Sequence, residues 1–491
     1  MRKLHFFPAL LLAFFALTLN AQDALRPAEQ SSNPLLEQVV NPNDASQSLG
    51  EADGMPVNNG SANEISNAQT RSVLPVLANE EPKEEKKDSW GLNLELRPRT
   101  EFRNGYKALT TATSQPAFLT TQRSRLGVSY ENDKIKSNFA VQDVRTWGDV
   151  KTKADAPSLM VFEAWMEMKL HETLALKVGR QQLKYEQQHL LATTNWNNVA
   201  TSHDLALLKF RKSGFDVHLG LAYNNDAEKN YESNYPVDHY KAMQFLWLSK
   251  KFDNGFALSL LEITEGLQPA TADYTLYFRN TTGLHIDYSN KDLGLTLSGA
   301  GYLQSGKDKN GTNLNSHLIL ASASYQATEK LKASVGFEFY SGDNALDSLD
   351  TEKNAFNNLY GAGHALRGSM DYFLTVDNHT DNGGLMDLYL KLDYNLNDKI
   401  STSAAYHYFS LANNVIDTEY TGTEIKALDK PLGSEIDLLL NYKYHKTLTM
   451  SMGYSVMFAQ RSLAVIRGGD YEKAGHWFFV MLTFKPSLLF K

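Results

Sequence analysis

The 491-residue chain contains no cysteine. That excludes disulfide scaffolds, thiolate metal sites, iron–sulfur clusters and cysteine nucleophiles. It equally excludes a lipid-anchored N-terminus, whose acylated residue would be a cysteine. A basic excess is missing too: 48 Lys+Arg stand against 56 Asp+Glu, so no nucleic acid is expected as a partner. Beyond one N-terminal stretch, no apolar run approaches the ~20 residues of a spanning helix, which excludes a helical membrane protein. Nor is there a Gly-x-Ser-x-Gly elbow, a His-Glu-x-x-His pair or a phosphate loop. Proline is scarce, at 14, whereas Tyr and Phe number 24 each, a balance that favours strands.

The one apolar stretch runs from Leu4 to Leu19 behind Arg2 and Lys3, and ends in Asn20-Ala21. A basic head, an apolar core and a small residue at the cut describe a secretory signal peptide over 1–21. The alternative, an N-terminal anchor, needs a longer run. Residues 22–88 are rich in Asn, Ser, Gln, Glu and Pro and close on Glu84-Glu85-Lys86-Lys87-Asp88. Such a segment buries too little apolar surface to offset chain entropy, so a disordered periplasmic leader is expected.

From Trp90 onward the texture is strict alternation, as in Asp387-Leu388-Tyr389-Leu390-Lys391-Leu392-Asp393-Tyr394. A period of two means strands with one apolar and one polar face. Eighteen such segments are discernible between 90–103 and 473–485, with sixteen as the fallback count. Their connections alternate between very short (Asn132-Asp133, Glu172, Ser213) and long (104–116, 185–201, 343–383). Short turns on one side and long loops on the other are the pattern of outer-membrane barrels. The expectation is therefore an all-β, antiparallel transmembrane β-barrel over 89–491, in the outer membrane of a Gram-negative bacterium. It implies outer-membrane lipid around the wall and the barrel-assembly machinery during biogenesis.

On the first strand Leu92, Leu94 and Leu96 share one face, and Glu95, Arg97, Arg99, Glu101 and Arg103 the other. Those charges fit a water-filled lumen and not a hydrophobic core. Arg123 and Arg125 alternate on the next strand, and Arg145, Arg180, Arg211, Arg279 and Arg461 follow. A guanidinium presents a planar fork of donors that matches a carboxylate, so a strip of them suits an anionic polymer. The alternative is that they pair with lumen acids (Glu95, Glu101, Asp143, Glu163, Glu167) and stiffen the barrel. Trp90, Trp147, Trp477 and Phe484 fall near strand ends, where an interfacial aromatic girdle belongs.

Acid–base chemistry finds little support. Glu163 and Glu167 lie four residues apart on one strand, roughly 13 Å, which exceeds the ~5–9.5 Å of glycosidase carboxyl pairs. His203-Asp204 and a loop group of His364, Asp371, Asp377 and His379 are the remaining candidates. No enzyme activity, cofactor or metal is expected.

Several segments resemble the alginate-export family of outer-membrane barrels. They include Leu96-Arg97-Pro98-Arg99-Thr100-Glu101-Phe102-Arg103, Gln122-Arg123-Ser124-Arg125-Leu126-Gly127, Gln142-Asp143-Val144-Arg145-Thr146-Trp147-Gly148, Gly179-Arg180-Gln181-Gln182, Asn195-Trp196-Asn197-Asn198 and Gly368-Ser369-Met370-Asp371-Tyr372-Phe373. The resemblance implies an 18-stranded monomeric barrel with an arginine-lined conduit for an anionic polyuronate. Carried over by position, Arg97, Arg99, Arg123, Arg125, Arg145 and Arg180 belong to it. The function expected is thus an outer-membrane channel for an anionic, alginate-like saccharide. A general or small-anion porin is the alternative, and an enzyme or adhesin built on loop 343–383 a third reading. Of the charged residues, seven basic and twelve acidic fall in 1–88, leaving 41 basic and 44 acidic for the barrel. Net charge does not reveal the cargo, so the position of the arginines must.

Overall fold

The computed structural model describes residues 88–152, 158–237, 239–269 and 274–490. The signal peptide and, but for Asp88, the leader expected over 22–88 lie outside the described residues.

The barrel is a closed antiparallel sheet of eighteen strands in which each pairs with its sequence neighbours. They are β1 (Ser89–Asn104), β2 (Ala117–Glu131), β3 (Ile135–Thr146), β4 (Leu159–His171), β5 (Leu174–Gln181), β6 (His203–Lys212), β7 (Phe215–Tyr223), β8 (Ala242–Lys251) and β9 (Phe256–Leu267). There follow β10 (Tyr277–Asn290), β11 (Leu295–Lys307), β12 (Asn313–Gln326), β13 (Leu331–Tyr340), β14 (Leu385–Asn395), β15 (Ile400–Leu411), β16 (Pro431–His445), β17 (Leu448–Ala459) and β18 (Gly475–Phe484). The ring closes where β1 pairs β18, with Arg99 opposite Met481 and Arg103 opposite Trp477. A short β19 (Ser487–Phe490) carries the last strand past Pro486 and pairs Phe490 with Trp90. Two short helices, α1 (Val376–His379) and α2 (Arg461–Arg467), sit in long loops.

Turn chemistry explains the tight end. Between β6 and β7 the chain reverses through Ser213 and Gly214, both at positive φ (51° and 77°). This is the backbone hand that matches strand twist in a two-residue hairpin.

Alternation sorts the wall as expected, apolar side chains outward and polar ones inward, over the half nearest the short turns. The inner face of the other half departs from expectation: apolar side chains stand among its polar ones and are buried under loops. Leu205 and Leu207 on β6, Met243 and Phe245 on β8, and Leu261 and Ile263 on β9 point inward and are buried. They pack on loop residues Leu183, Tyr185, Leu190, Leu191, Phe356 and Phe373 in one apolar cluster. The 182–202 and 341–384 loops thus fold into the barrel and fill it on the long-loop side. Of the four residues expected in an aromatic girdle, Trp90, Trp147 and Phe484 are exposed at 52%, 60% and 37%, whereas Trp477 faces inward and is fully buried.

Candidate functional site

The site grows from the pairing of β1 with β2. Glu95 stands opposite Arg125 and Arg97 opposite Arg123, so the inward positions of two adjoining strands bring five arginines and two glutamates together. Arg123 pairs with Glu95, which also receives Lys485 at 3.0 Å. Glu101 accepts Arg99 Nε at 2.9 Å, Arg103 Nε at 3.0 Å and Trp477 Nε1 at 2.9 Å. Among the described residues, two arginines of the cluster are left without a carboxylate. Arg125 donates to Gln142 at 2.7 Å and lies 3.4 Å over the Phe162 ring. Arg97 has only neutral acceptors, and its Nε has none. The cluster holds an excess of positive charge, and Arg97, Arg99 and Arg123 are each at most 5% exposed.

The neutral acceptors belong to the β5–β6 loop. Arg97 Nη1 donates to the Asn195 carbonyl at 2.6 Å, and its Nη2 to the Trp196 and Asn197 carbonyls at 3.0 Å and the Asn198 side chain at 3.2 Å. Arg99 reaches the Trp196 carbonyl at 3.0 Å, and Arg123 the Asn195 and Asn197 carbonyls at 3.3 and 3.1 Å. Three successive carbonyl dipoles therefore converge on three guanidinium forks, where a carboxylate would bind more strongly. Trp196 anchors this turn. It stacks on His364 at 4.0 Å and 6°, lies under the Arg99 guanidinium at 4.3 Å, and meets Phe479 edge-on at 5.1 Å.

The 341–384 loop backs the turn. His364 Nδ1 lies 2.8 Å from Asp371, which also accepts Tyr106 Oη at 2.5 Å, with Lys107 3.6 Å away. Burial pushes the Asp371 carboxyl up, but His364, Tyr106 and Lys107 outweigh it and leave its pKa below the ordinary value near 3.8. A carboxyl with a depressed pKa contributes stability above its unfolded pKa and loses it as pH falls through the folded one. The Asp371 contacts should therefore persist at neutral pH and loosen only below about pH 3.8. Protease accessibility of the 341–384 loop against pH checks this, and loosening already at pH 6 would contradict it.

Arg367, 1% exposed, ties the same loop to the wall. It donates to the Phe373 carbonyl at 2.9 Å, the Ala362 carbonyl at 3.2 Å and Tyr340 Oη at 2.6 Å, with Glu338 3.9 Å away. Arg367→Met should destabilise the loop by roughly 3–5 kcal/mol, the usual consequence of breaking a buried charged network. Limited proteolysis should then cut the loop while the barrel stays heat-modifiable on gels.

The predicted site residues divide into four groups. Arg97, Arg99, Arg103, Arg123, Arg125, Glu95 and Glu101 converge as described. Glu163 and Glu167 also face inward, toward the short-turn side, where Glu163 accepts Asn138 at 3.0 Å and Glu167 accepts Lys209 at 2.5 Å. Asp143, Arg145 and Arg180 stand on the outer face. Asp143 and Arg145 share the face of the outward Phe139 and Val141 and bond each other at 2.7 and 2.8 Å. Arg180 lies opposite Ala164 and Asp204, and pairs with Asp204 at 2.8 Å. Arg461 is not in a strand at all. β17 ends at Ala459, and Arg461 opens α2, where it clasps Asp417 at 2.8 Å and Glu419 at 3.3 Å from the β15–β16 loop.

His203 and Asp204 point to opposite faces and form no pair. His203 meets Tyr240 at 2.9 Å instead. Asp377 binds Lys353 at 3.2 Å and Asn357 at 3.0 Å, away from His364. Among the described residues no three His, Asp or Glu side chains converge to hold a metal ion. Sequence reasoning missed Arg367, Trp477 and the part played by Trp196. For Trp196 there was a signal, since Asn195-Trp196-Asn197-Asn198 belongs to the segments carrying the family resemblance.

A family model described as "Alginate export" matches residues 89–223 and 270–461. No curated protein matches the chain. Solved structures share the fold at low identity. Acinetobacter baumannii OccAB1 has a TM-score of 0.56 and 11% identity over 81% of this chain and 97% of its own. For Pseudomonas aeruginosa OccK9 (OpdG) the values are 0.55, 11%, 81% and 98%. For Pseudomonas aeruginosa OprD they are 0.55, 13%, 81% and 94%.

Proposed function

Because the chain belongs to the alginate export family and is an outer-membrane channel of the porin kind, we propose that its cargo is an anionic, alginate-like polysaccharide or oligosaccharide. The observation that carries this reading is the arginine excess on β1 and β2. Arg97, Arg99, Arg103, Arg123 and Arg125 outnumber Glu95 and Glu101, and among the described residues Arg97 and Arg125 have no carboxylate partner. The outward Arg145 and Arg180, and Arg461 in its loop, lie outside this conduit.

The mechanism is electrostatic and breaks no covalent bond. A uronate carboxylate entering the lumen replaces a backbone carbonyl in the Arg97 fork. A charge-assisted hydrogen bond is roughly twice as strong as a neutral one, so the exchange favours the anion. Neighbouring forks on the paired strand then receive the next carboxylates of the polymer. Many moderate sites in series hold the chain while letting it move.

Planar-bilayer recording of the purified protein tests this. Current should be anion-preferring, and polyuronate should block it at far lower concentration than a neutral polysaccharide of equal length. Cation preference would sink the arginine conduit. Indifference to polyuronate with anion preference kept would leave a small-anion porin.

A further inference from the structure

The Trp196 indole fills a seat that other parts of the chain build. The His364 ring is its floor, parallel to the indole at 4.0 Å, and the Arg99 guanidinium its roof at 4.3 Å. Trp477 and Phe479 stand edge-on beside it at 5.7 and 5.1 Å. These walls are fixed from elsewhere. Asp371 holds His364 at 2.8 Å, and Glu101 holds Arg99 Nε and Trp477 Nε1, each at 2.9 Å. Tyr106 stacks on the far side of Trp477 at 4.8 Å, and Phe479 is carried by β18. None of these anchors belongs to the β5–β6 turn, so the seat keeps its shape when the turn leaves it. A seat formed in advance lowers the ordering cost of its next occupant.

The present occupant fits this seat incompletely. Among the described residues two buried donors here, Trp196 Nε1 and Arg97 Nε, have no acceptor. Arg97 is only 4% exposed, and a buried N–H left unpaired is costly. The indole brings a flat apolar body but no oxygen. A ligand that joins a flat apolar face to acceptor oxygens suits the seat better.

We infer that the seat of Trp196 is a monosaccharide subsite for a pyranosyl uronate. This rests on the anionic-saccharide reading above and adds a feature of the cargo that arginines alone do not select, the sugar ring. A pyranose presents a face of C–H groups, which packs on an aromatic ring as other apolar surfaces do. In the subsite the sugar ring replaces the indole between His364 and Arg99. Its carboxylate is bonded to the ring itself and takes the position of the Trp196 carbonyl, 3.0 Å from both Arg97 Nη2 and Arg99 Nη1. The second carboxylate oxygen is then available to Arg97 Nε. An apolar body fixed by a few placed polar groups is the usual anatomy of a small-ligand site. The turn is thus a built-in ligand that a uronate displaces with both ring and charge. A polyanion without rings gains the charge contacts alone.

Block of the full-length channel in planar bilayers by polyuronate and by poly-L-glutamate of equal charge and length tests this. Both polymers must displace the turn, so the ratio of their half-blocking concentrations isolates the ring. The parent should favour polyuronate by about tenfold, the order by which one aromatic stack improves binding. His364→Leu should bring the two polymers to within about twofold of each other. His364→Phe, which restores a flat ring, should keep the preference. Phe479→Leu should lower it too, and this variant decides if His364→Leu does not fold by heat-modifiability on gels. Equal block by the two polymers in the parent overturns the subsite and leaves the arginine conduit standing. A preference for polyuronate that survives both leucine variants overturns it as well. Block by neither polymer overturns the conduit and the subsite together.

Discussion

Trp196→Ala channels open far more readily than the parent in planar bilayers. The β5–β6 turn is held by two sets of contacts, and this substitution removes one of them. The carbonyls of Asn195, Trp196 and Asn197 remain to accept from Arg97, Arg99 and Arg123, since they belong to the backbone. The indole is lost, and with it the stack on His364, the Arg99 face and the edge contact to Phe479. Truncating a packed Trp costs roughly 3–5 kcal/mol. At 1.4 kcal/mol per factor of ten, the balance between seated and displaced turn moves by about two to three and a half powers of ten. Open probability should rise accordingly, while unfolding of the barrel in urea changes little because the hydrogen-bonded ladder between the strands is untouched. An unaltered current would mean that this turn does not close the channel.

The second large effect is on polymer block. In the Arg97→Gln, Arg125→Gln double variant, polyuronate should lose its block, the half-blocking concentration rising tenfold to a hundredfold per arginine. That range follows from about 1.5–3 kcal/mol for each hydrogen bond to a charged group. These two positions are chosen because neither guanidinium serves a carboxylate, so removing them strands no buried anion. Arg123→Gln is the contrasting variant. It leaves Glu95 with Lys485 as its remaining partner and should destabilise the barrel by up to about 3–5 kcal/mol. If the double variant is blocked as easily as the parent, the conduit lies elsewhere.

How far the site was legible depended on local regularity. Arg97, Arg99, Arg103, Arg123 and Arg125 were placed correctly because Leu92, Leu94, Leu96 and Leu126 keep strict period two beside them. Arg145 and Asp143 were misplaced because both alternate sets around Gln142 are polar, and because the β3–β4 register slips between Ala140 and Val141. Arg180 follows Gly179, whose φ of +118° breaks the ordinary strand conformation. A Cβ at Gly179 would meet the Ala164 carbonyl at 2.2 Å. Trp477 looked like a girdle residue by its distance from a strand end, but one step of parity separates the lipid face from the lumen.

The sequence by itself determined the strands, the sorting of short turns from long loops, the closed barrel and the arginine pair of strands. All of these are local: a side chain's face follows from its neighbours two residues away. Tertiary structure alone decided that loops fill the long-loop half of the lumen, that a turn nearly a hundred residues along the chain seats its carbonyls in the arginine forks, and that Arg367 ties the largest loop to the wall. Loop residues carry no periodicity to read, and their burial depends on contacts between segments that only ring closure brings together.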